Sequence, residues 1–576
     1  MFSLPSFPGW AAESPWFLWN ANSDGYAISP ADHFMTASTS WNASQALVTG
    51  ISSSIATLPA GFEHKTLLTV DHGIDRLIQN WGNQMMALYQ KSPPSTGAGP
   101  ILRQIGYWTD NGANYYYHQE GSLSYRDTLL AVKADFDRAG IQLGYMQLDS
   151  WFYPKGPTDD WRFSETGMYL YQAAPELFPD GLKAFQQSLG VPLVTHARWI
   201  DTSSPYRQQY QISGNVAIDP LYWTSTASYL RDSGVVVYEQ DWMGLNAAPN
   251  FNLTDPDAFL NNMAAANAGE SIDIQYCMAT PRHFMHSLKL SNVTTARTSE
   301  DRFNRNRWTQ FLYSGRLSSA LGIFPFTDVF LSSETENLIL AVMSAGPVGI
   351  GDAIGALNLD NLYRAVRADG VIVKPDAPLT PVDASYFKHS GGDLSQPMIA
   401  TAHTVFDDWQ ATYIVGYDQG AGSYPAVKFS DLGLTGPGYS YDPLSGRVNA
   451  VSPGDSYPTP SNGFSLLTLA PTGLSGITVL GDPGQFASFG KQRIAAFLDD
   501  GSVQMTVIFA AGEATRTIHG VSPLEPQVKM LAGSLRNLSF NTNTHRFTIV
   551  LAPGAASSAI LRMTAQPRTK LHSHGE

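Results

Sequence analysis

The stretch "SGVVVYEQDWMG", Ser233 to Gly244, decides the fold. Val235 to Tyr238 read as a buried parallel strand, and such strands ordinarily end in turn residues. This one ends in Glu239, Asp241 and Trp242. Seven further apolar runs of the same kind flank it, namely "ILRQIGYWTD", "IQLGYMQLDSW", "VPLVTHARWI", "IDIQYCMAT", "NVTTARTSED", "LGIFPFTD" and "AGPVGIGD". Helix-like stretches separate them, such as "SYRDTLLAVKADFDRAG" after the first run, with a glycine in the usual C-terminal position, and "SETENLILAVMSA" before the last. Strict alternation implies a parallel sheet, and eight repeats suit a closed (β/α)₈ barrel, the TIM barrel. An open doubly wound sheet is the competing arrangement; no dinucleotide-type glycine-rich turn follows the first strand, which counts against it.

Outward from the barrel, residues 1–97 read as an N-terminal accessory domain. It has short Ser/Thr/Gly-punctuated segments, a helical pattern from Ile74 to Gln90, and the Pro/Gly/Ser-rich "KSPPSTGAGP" as a linker. The barrel occupies 98–390. From 391 to 576 short strands broken by Gly, Pro, Asp and Ser, as in "QATYIVGYDQG" and "HRFTIVLAPG", predict a C-terminal antiparallel β-sandwich.

A chain of 576 residues has material for two or three domains and a deep site. Its formal net charge of −14 argues against nucleic acid and against an anionic membrane surface. Aromatic residues make up 12 %, with Trp and Tyr recurring beside Asp, a pairing suited to sugar rings. The single Cys277 excludes an intrachain disulfide framework and a Cys-rich metal site. The N-terminal "MFSLPSFPGWAAESPW" lacks a basic n-region and a continuous apolar h-region, and no run is long enough to span a bilayer. The expectation is a soluble protein, cytoplasmic, or secreted or periplasmic if a signal peptide is removed. Sequons such as "NAS" at Asn42 are too frequent by chance to decide the compartment.

In such barrels the active site lies at the C-terminal ends of the strands, and here those ends are polar and aromatic. They offer Trp108 and Asp110; Asp149 and Trp151; His196, Arg198 and Trp199; Glu239, Asp241 and Trp242; Arg282 and His283 after the fifth; Arg297, Ser299, Glu300 and Asp301; Asp328; and Asp352. A carboxylate after a strand often only caps the next helix. Caps alone would not bring Trp, His and Arg to the same level.

Period-two alternation puts Glu239 and Asp241 on one side of their strand, where each raises the other's pKa unless a cation intervenes. Arg198 and Arg297 are the candidates. Glycoside cleavage needs carboxylates on either side of the bond, and the roughly 5–5.5 Å spacing of a retaining pair places them on different strands. Asp241 with Asp301 fits. Asp110, Asp149 and Asp328 would hold hydroxyl groups, with Trp108, Trp151 and Trp199 as stacking walls. His196, His283 and Asp241 could meet as metal ligands, but no HExxH or comparable motif appears. No G-x-S-x-G elbow and no phosphate-cradling loop occurs.

These strings resemble the α-galactosidase and raffinose synthase group of glycoside hydrolases (family 36-like), and most of all its raffinose synthase-like branch. "LDSW" at Leu148 to Trp151 stands where that group has D-D-G-W, and "EQD" where it has K-x-D. Cys277-Met278 followed by Arg297, Ser299 and Asp301 matches C-M and R-x-S-x-D. "PFTDVF" resembles P-x-x-D-x-F, "SAGPVGIGDAIG" resembles G-G-P-V-Y-V-S-D, and "GFSLLTLAPTG" resembles the group's closing strand. The likeness spans roughly Gly144 to Gly473. It implies Asp241 as nucleophile and Asp301 as general acid/base, working by double displacement on an α-glycosidic bond without metal or organic cofactor. Alignment by Ser299 alone would make Glu300 the acid.

Three departures concern sugar recognition: Glu239 replaces the group's Lys, Leu148 replaces the first Asp of D-D-G-W, and the N-terminal domain is shorter than the group's usual sandwich. The implied partner is an oligosaccharide or glycoside, α-galactoside first, with α-glucoside hydrolysis or transfer to another sugar as alternatives. A carbohydrate-binding protein that keeps the barrel without catalysis is the reading from another class.

Overall fold

The computed structural model describes residues 13–41, 46–157, 159–420, 422–458, 460 and 463–565. Asn42 and most of the N-terminal stretch lie outside the described residues. The chain divides into two compact units, residues 1–337 with 346–358, and residues 338–345 with 359–576.

In the first unit all eight expected runs form strands of one parallel sheet. In chain order they are Gly106–Tyr107, Tyr145–Leu148, Leu193–Ala197, Val235–Gln240, Asp273–Tyr276, Val293–Arg297, Phe324–Phe326 and Gly349–Ile350. Helices alternate with them, and their ends carry the expected signals. Ser124 accepts the Asp127 N–H at the start of Tyr125–Arg138, and Gly140 follows it with φ 68°. Asp219 caps Pro220–Asp232, which has proline in its first turn.

The sheet order runs from the seventh strand back through the sixth to the first, then to the eighth. The seam between seventh and eighth carries a single parallel bridge, Phe330 with Ile350, in place of a ladder. Pro325 in the seventh strand has no N–H to give, and Gly346 approaches its carbonyl too closely to carry a side chain. Gly349 of the eighth strand lies directly on the Trp108 ring, so a methyl group there must displace the indole. Gly349→Ala should cost about 1–3 kcal/mol in urea unfolding, the range for overpacking a filled core. A variant as stable as the parent would show that the ring can move.

The expected boundary near residue 97 does not separate compact units. Helix Ile74–Tyr89 buries Ile74, Leu77, Ile78, Trp81 and Met85 along one face. Its Gly82 meets the Ala320 carbonyl so closely that a side chain would clash. Arg316 pairs with Asp75 at 2.5 Å. Lys91, within the expected linker, is half-buried and donates to the carbonyls of Ser287, Leu290 and Val293 at 2.9, 3.0 and 3.2 Å. The three-stranded antiparallel sheet Trp16–Trp19, Asp24–Pro30 and Thr66–His72 belongs to the same unit.

The second unit contains three antiparallel sheets, forming the expected C-terminal sandwich architecture. One has six strands, from Thr380–Pro381 through Met398–Phe406, Trp409–Tyr417, Phe464–Pro471 and Gly438–Tyr441 to Val448–Val451. Two four-stranded sheets follow, and period-two burial marks their inner faces: Val503, Met505 and Val507 on one, Phe547, Ile549 and Leu551 on the other. The unit begins before residue 391, because Thr380–Pro381 pairs with Met398–Phe406. Among the described residues no helix is long and apolar enough to cross a membrane.

Candidate active site

The fourth barrel strand sorts its side chains by parity. Tyr238 faces the helix layer, edge-on to Trp223 at 5.9 Å, and donates its hydroxyl to Gln240 Oε1 at 2.7 Å. Glu239 and Asp241 therefore share the opposite side, as the alternation predicts, and both line a cavity of about 50 Å³ at the strand ends. Asp110, Asp149, His196, Arg297 and Asp301 complete its charged wall, with Arg198, Trp242 and Cys277. A larger cavity of about 580 Å³ adjoins it, and Met278, Arg297 and Asp301 line both.

Asp241 is held from three directions. Its backbone N–H donates to the Ala197 carbonyl at 2.9 Å, its Oδ1 accepts the Trp242 N–H at 2.6 Å, and its Oδ2 lies 3.0 Å from His196 Nε2. Trp242 adopts a left-handed φ of 62°, which turns the chain sharply after the carboxylate. His196 Nδ1 is in turn hydrogen-bonded to the Tyr153 hydroxyl at 3.1 Å. Burial alone would raise the Asp241 pKa. The hydrogen bond and charge of His196, then Arg297 and the Cys277 thiol, outweigh it and hold the carboxyl well below the usual range. The same exchange raises His196: burial opposes its charge, and Asp149, Asp241 and Glu239 overcome that.

Glu239 has the reverse fate. Burial, helped by Asp241 and Asp149 against His196 and Gln147, pushes its pKa up to about 7, and Gln147 Nε2 donates to it at 3.0 Å. Asp110 is raised by burial and then by the Asp328 carboxyl beside it. Arg297 lies 2.8 Å from Asp301 and 3.4 Å from Asp328, and Asn111 donates to Asp301 Oδ2 at 3.2 Å.

Of the residues expected here, Asp110, Asp149, His196, Arg198, Glu239, Asp241, Trp242, Cys277, Arg297 and Asp301 come together on this cavity, with Asp328 behind Asp110. Trp199 is one layer out, packed on Trp242 at 4.8 Å. The other two expected walls are corrected. Trp108 is packed edge-on to Phe326 with its N–H on the Tyr145 hydroxyl at 3.0 Å, and Trp151 is fully buried, stacked on Tyr125 at 3.9 Å. Both are core residues, because a short helical turn, Ser150–Phe152, swings Trp151 off the strand's inward face, and Gly349 draws Trp108 beneath the eighth strand.

Arg282 also points elsewhere, pairing with Glu13 at 2.8 Å and donating to the Met35 carbonyl at 3.0 Å. His283 accepts the Thr280 N–H at 3.1 Å as part of a helix cap and does not approach His196 and Asp241. Glu300 is half-exposed on Arg307 and lines the larger cavity alone, whereas Asp301 reaches both. Arg198 does not separate Glu239 from Asp241. Its guanidinium is committed to the carbonyls of Ser164 and Thr166 and to Ser150 Oγ, at 2.6, 3.1 and 3.2 Å. Among the described residues no group of three or more His, Cys, Asp or Glu is arranged to hold a metal ion.

The sequence reading missed Gln147, Tyr153, Asn111, Tyr116 and Ser150. Gln147 carried a usable signal, since it precedes Asp149 by two and shares its side of the strand. Tyr116 lies in a loop, where no periodicity announces it.

Because His196 is the nearest group favouring the charged form of Asp241, His196→Asn should raise the Asp241 pKa. A chemistry that needs the carboxylate is then lost earlier as pH falls, moving the acid limb of kcat/KM upward by about one pH unit or more. The groups left facing Asp241 are Arg297, Cys277 and Glu239. A pH–rate profile with an unmoved acid limb would exclude His196 from this role.

No protein-family model matches the chain, and no curated protein matches it in sequence. Solved structures resemble it distantly. A GH27 β-L-arabinopyranosidase from Geobacillus stearothermophilus superposes with a TM-score of 0.47 at 14% identity, covering 67% of this chain and 98% of that one. An α-galactosidase from Saccharomyces cerevisiae gives 0.45 at 14%, covering 66% and 100%. A cycloalternan-forming enzyme from Listeria monocytogenes, in complex with a pentasaccharide substrate, gives 0.48 at 9%, covering 94% and 60%.

Proposed function

We propose that the chain is a retaining glycosidase or transglycosidase acting on an α-glycosidic bond, with the machinery of the α-galactosidase and raffinose synthase group. The observation that carries the reading is the pairing of Asp241, held ionised by His196 and Arg297, with Asp301 on the wall of one cavity. The two come from different strands, as flanking a scissile bond requires.

In the first step the Asp241 carboxylate attacks the anomeric carbon as the glycosidic C–O bond breaks, and Asp301 in its acid form protonates the departing oxygen. A glycosyl ester on Asp241 results. In the second step the Asp301 carboxylate takes a proton from water, or from an acceptor hydroxyl, which attacks the same carbon and frees Asp241. Arg297 lies 2.8 Å from Asp301 and orients its carboxyl. Two displacements give net retention.

The test is turnover of aryl α-galactoside and α-glucoside, with the first-formed anomer read by NMR. The α-anomer is expected. First release of the β-anomer would overturn the double displacement, and tight oligosaccharide binding without turnover would make the protein a binder.

A further inference from the structure

The small cavity is lined by more carboxyl groups than cationic side chains. Five carboxyl-bearing residues line it, Asp110, Asp149, Glu239, Asp241 and Asp301, and Asp328 abuts the first. The cations are already engaged: Arg297 with Asp301 and Asp328, His196 with Asp241, and Arg198 with the Ser164 and Thr166 carbonyls. Glu239 makes no ion pair among the described residues; its hydrogen bond comes from the uncharged amide of Gln147. Asp110, itself more than nine-tenths buried, keeps Oδ1 without a hydrogen-bond partner, although its carboxyl also shares a hydrogen bond with Asp328. A buried carboxylate without a cation is costly, and a carboxylate oxygen without a donor adds to that cost. Both deficits are met by a ligand that brings positive charge and N–H donors.

Glu239 shares its side of the strand with Asp241, so a group it receives belongs to the sugar whose anomeric carbon faces Asp241. We propose that this sugar is an amino sugar with a free, protonated amine, received by Glu239 with Asp149 on the adjacent side. The inference rests on the cavity being a sugar site and goes further by naming the class of sugar. Burial that favours a protonated Glu239 is consistent with it, since an ammonium can take the place of that proton.

The experiment is calorimetric binding of the 2-, 3-, 4- and 6-aminodeoxy forms of galactose and glucose, their N-acetyl derivatives, and the parent sugars, to the wild type and to Glu239→Gln. At least one amine is expected to bind about tenfold or more tightly than its parent. That advantage should vanish on N-acetylation, which removes the charge, and in Glu239→Gln. Amines no tighter than their parents in the wild type would overturn the proposal without using any variant. So would an advantage that survives Glu239→Gln in a protein whose thermal unfolding is unchanged. Neutral sugars that bind and turn over with no preference for amines would sink this inference alone; no binding of any sugar would sink the sugar site with it.

Discussion

Asp241→Ala is expected to lower turnover of an aryl α-glycoside by about 10⁴-fold or more, with added azide restoring product as a glycosyl azide of inverted configuration. The size follows from the role. If Asp241 is the nucleophile, no ester forms without its carboxylate. Azide is small enough to occupy the space that Asp241 vacates and attacks once, so its product shows the opposite anomer to that of two displacements. Removing Asp241 also leaves His196 with burial but without its partner, so unfolding should be measured alongside. A folded variant that keeps more than about a tenth of the activity, or yields no azide adduct, would remove Asp241 from the reaction.

Asp301→Ala is expected to slow glycosides of poor leaving groups by about 10²–10⁴-fold and dinitrophenyl glycosides far less, because the latter depart without a proton. Azide here should give the retained configuration, since Asp241 still performs the first displacement. Glu300→Ala should leave both substrates within about threefold of the parent, as expected for a half-exposed side chain paired with Arg307. The two variants together decide what spacing from Ser299 leaves open. If Glu300→Ala shows the leaving-group dependence and Asp301→Ala does not, the acid is Glu300.

The barrel was legible because its strands are short, mostly buried runs alternating with helix-like stretches, and even Gly106–Tyr107 and Gly349–Ile350, two residues each, lie inside longer runs. The strand-end carboxylates were legible for the same reason: a charge terminating a buried run has few places to go. What resisted reading was direction and commitment. Trp151 follows Asp149 by two, which puts both on one face of a strand, but the chain has already left strand geometry at Ser150. His196 and Arg198 likewise share a face by parity. Only tertiary contacts show the histidine on Asp241 and the arginine bound to the carbonyls of a neighbouring loop. Lys91 stands in a stretch whose composition reads as a linker, and its burial depends on three carbonyls some two hundred positions away.

That lysine has a consequence for how the molecule tolerates change. Val293 and Arg297 are the two ends of one five-residue strand. Lys91 holds the carbonyl at the foot of that strand, and Arg297 engages Asp301 and Asp328 at its head. Durability is thus written at the floor of the barrel and selectivity at its mouth, along the same short segments of backbone. A chain shortened to begin after the apparent linker would lose its footing before it lost any residue that lines the cavity.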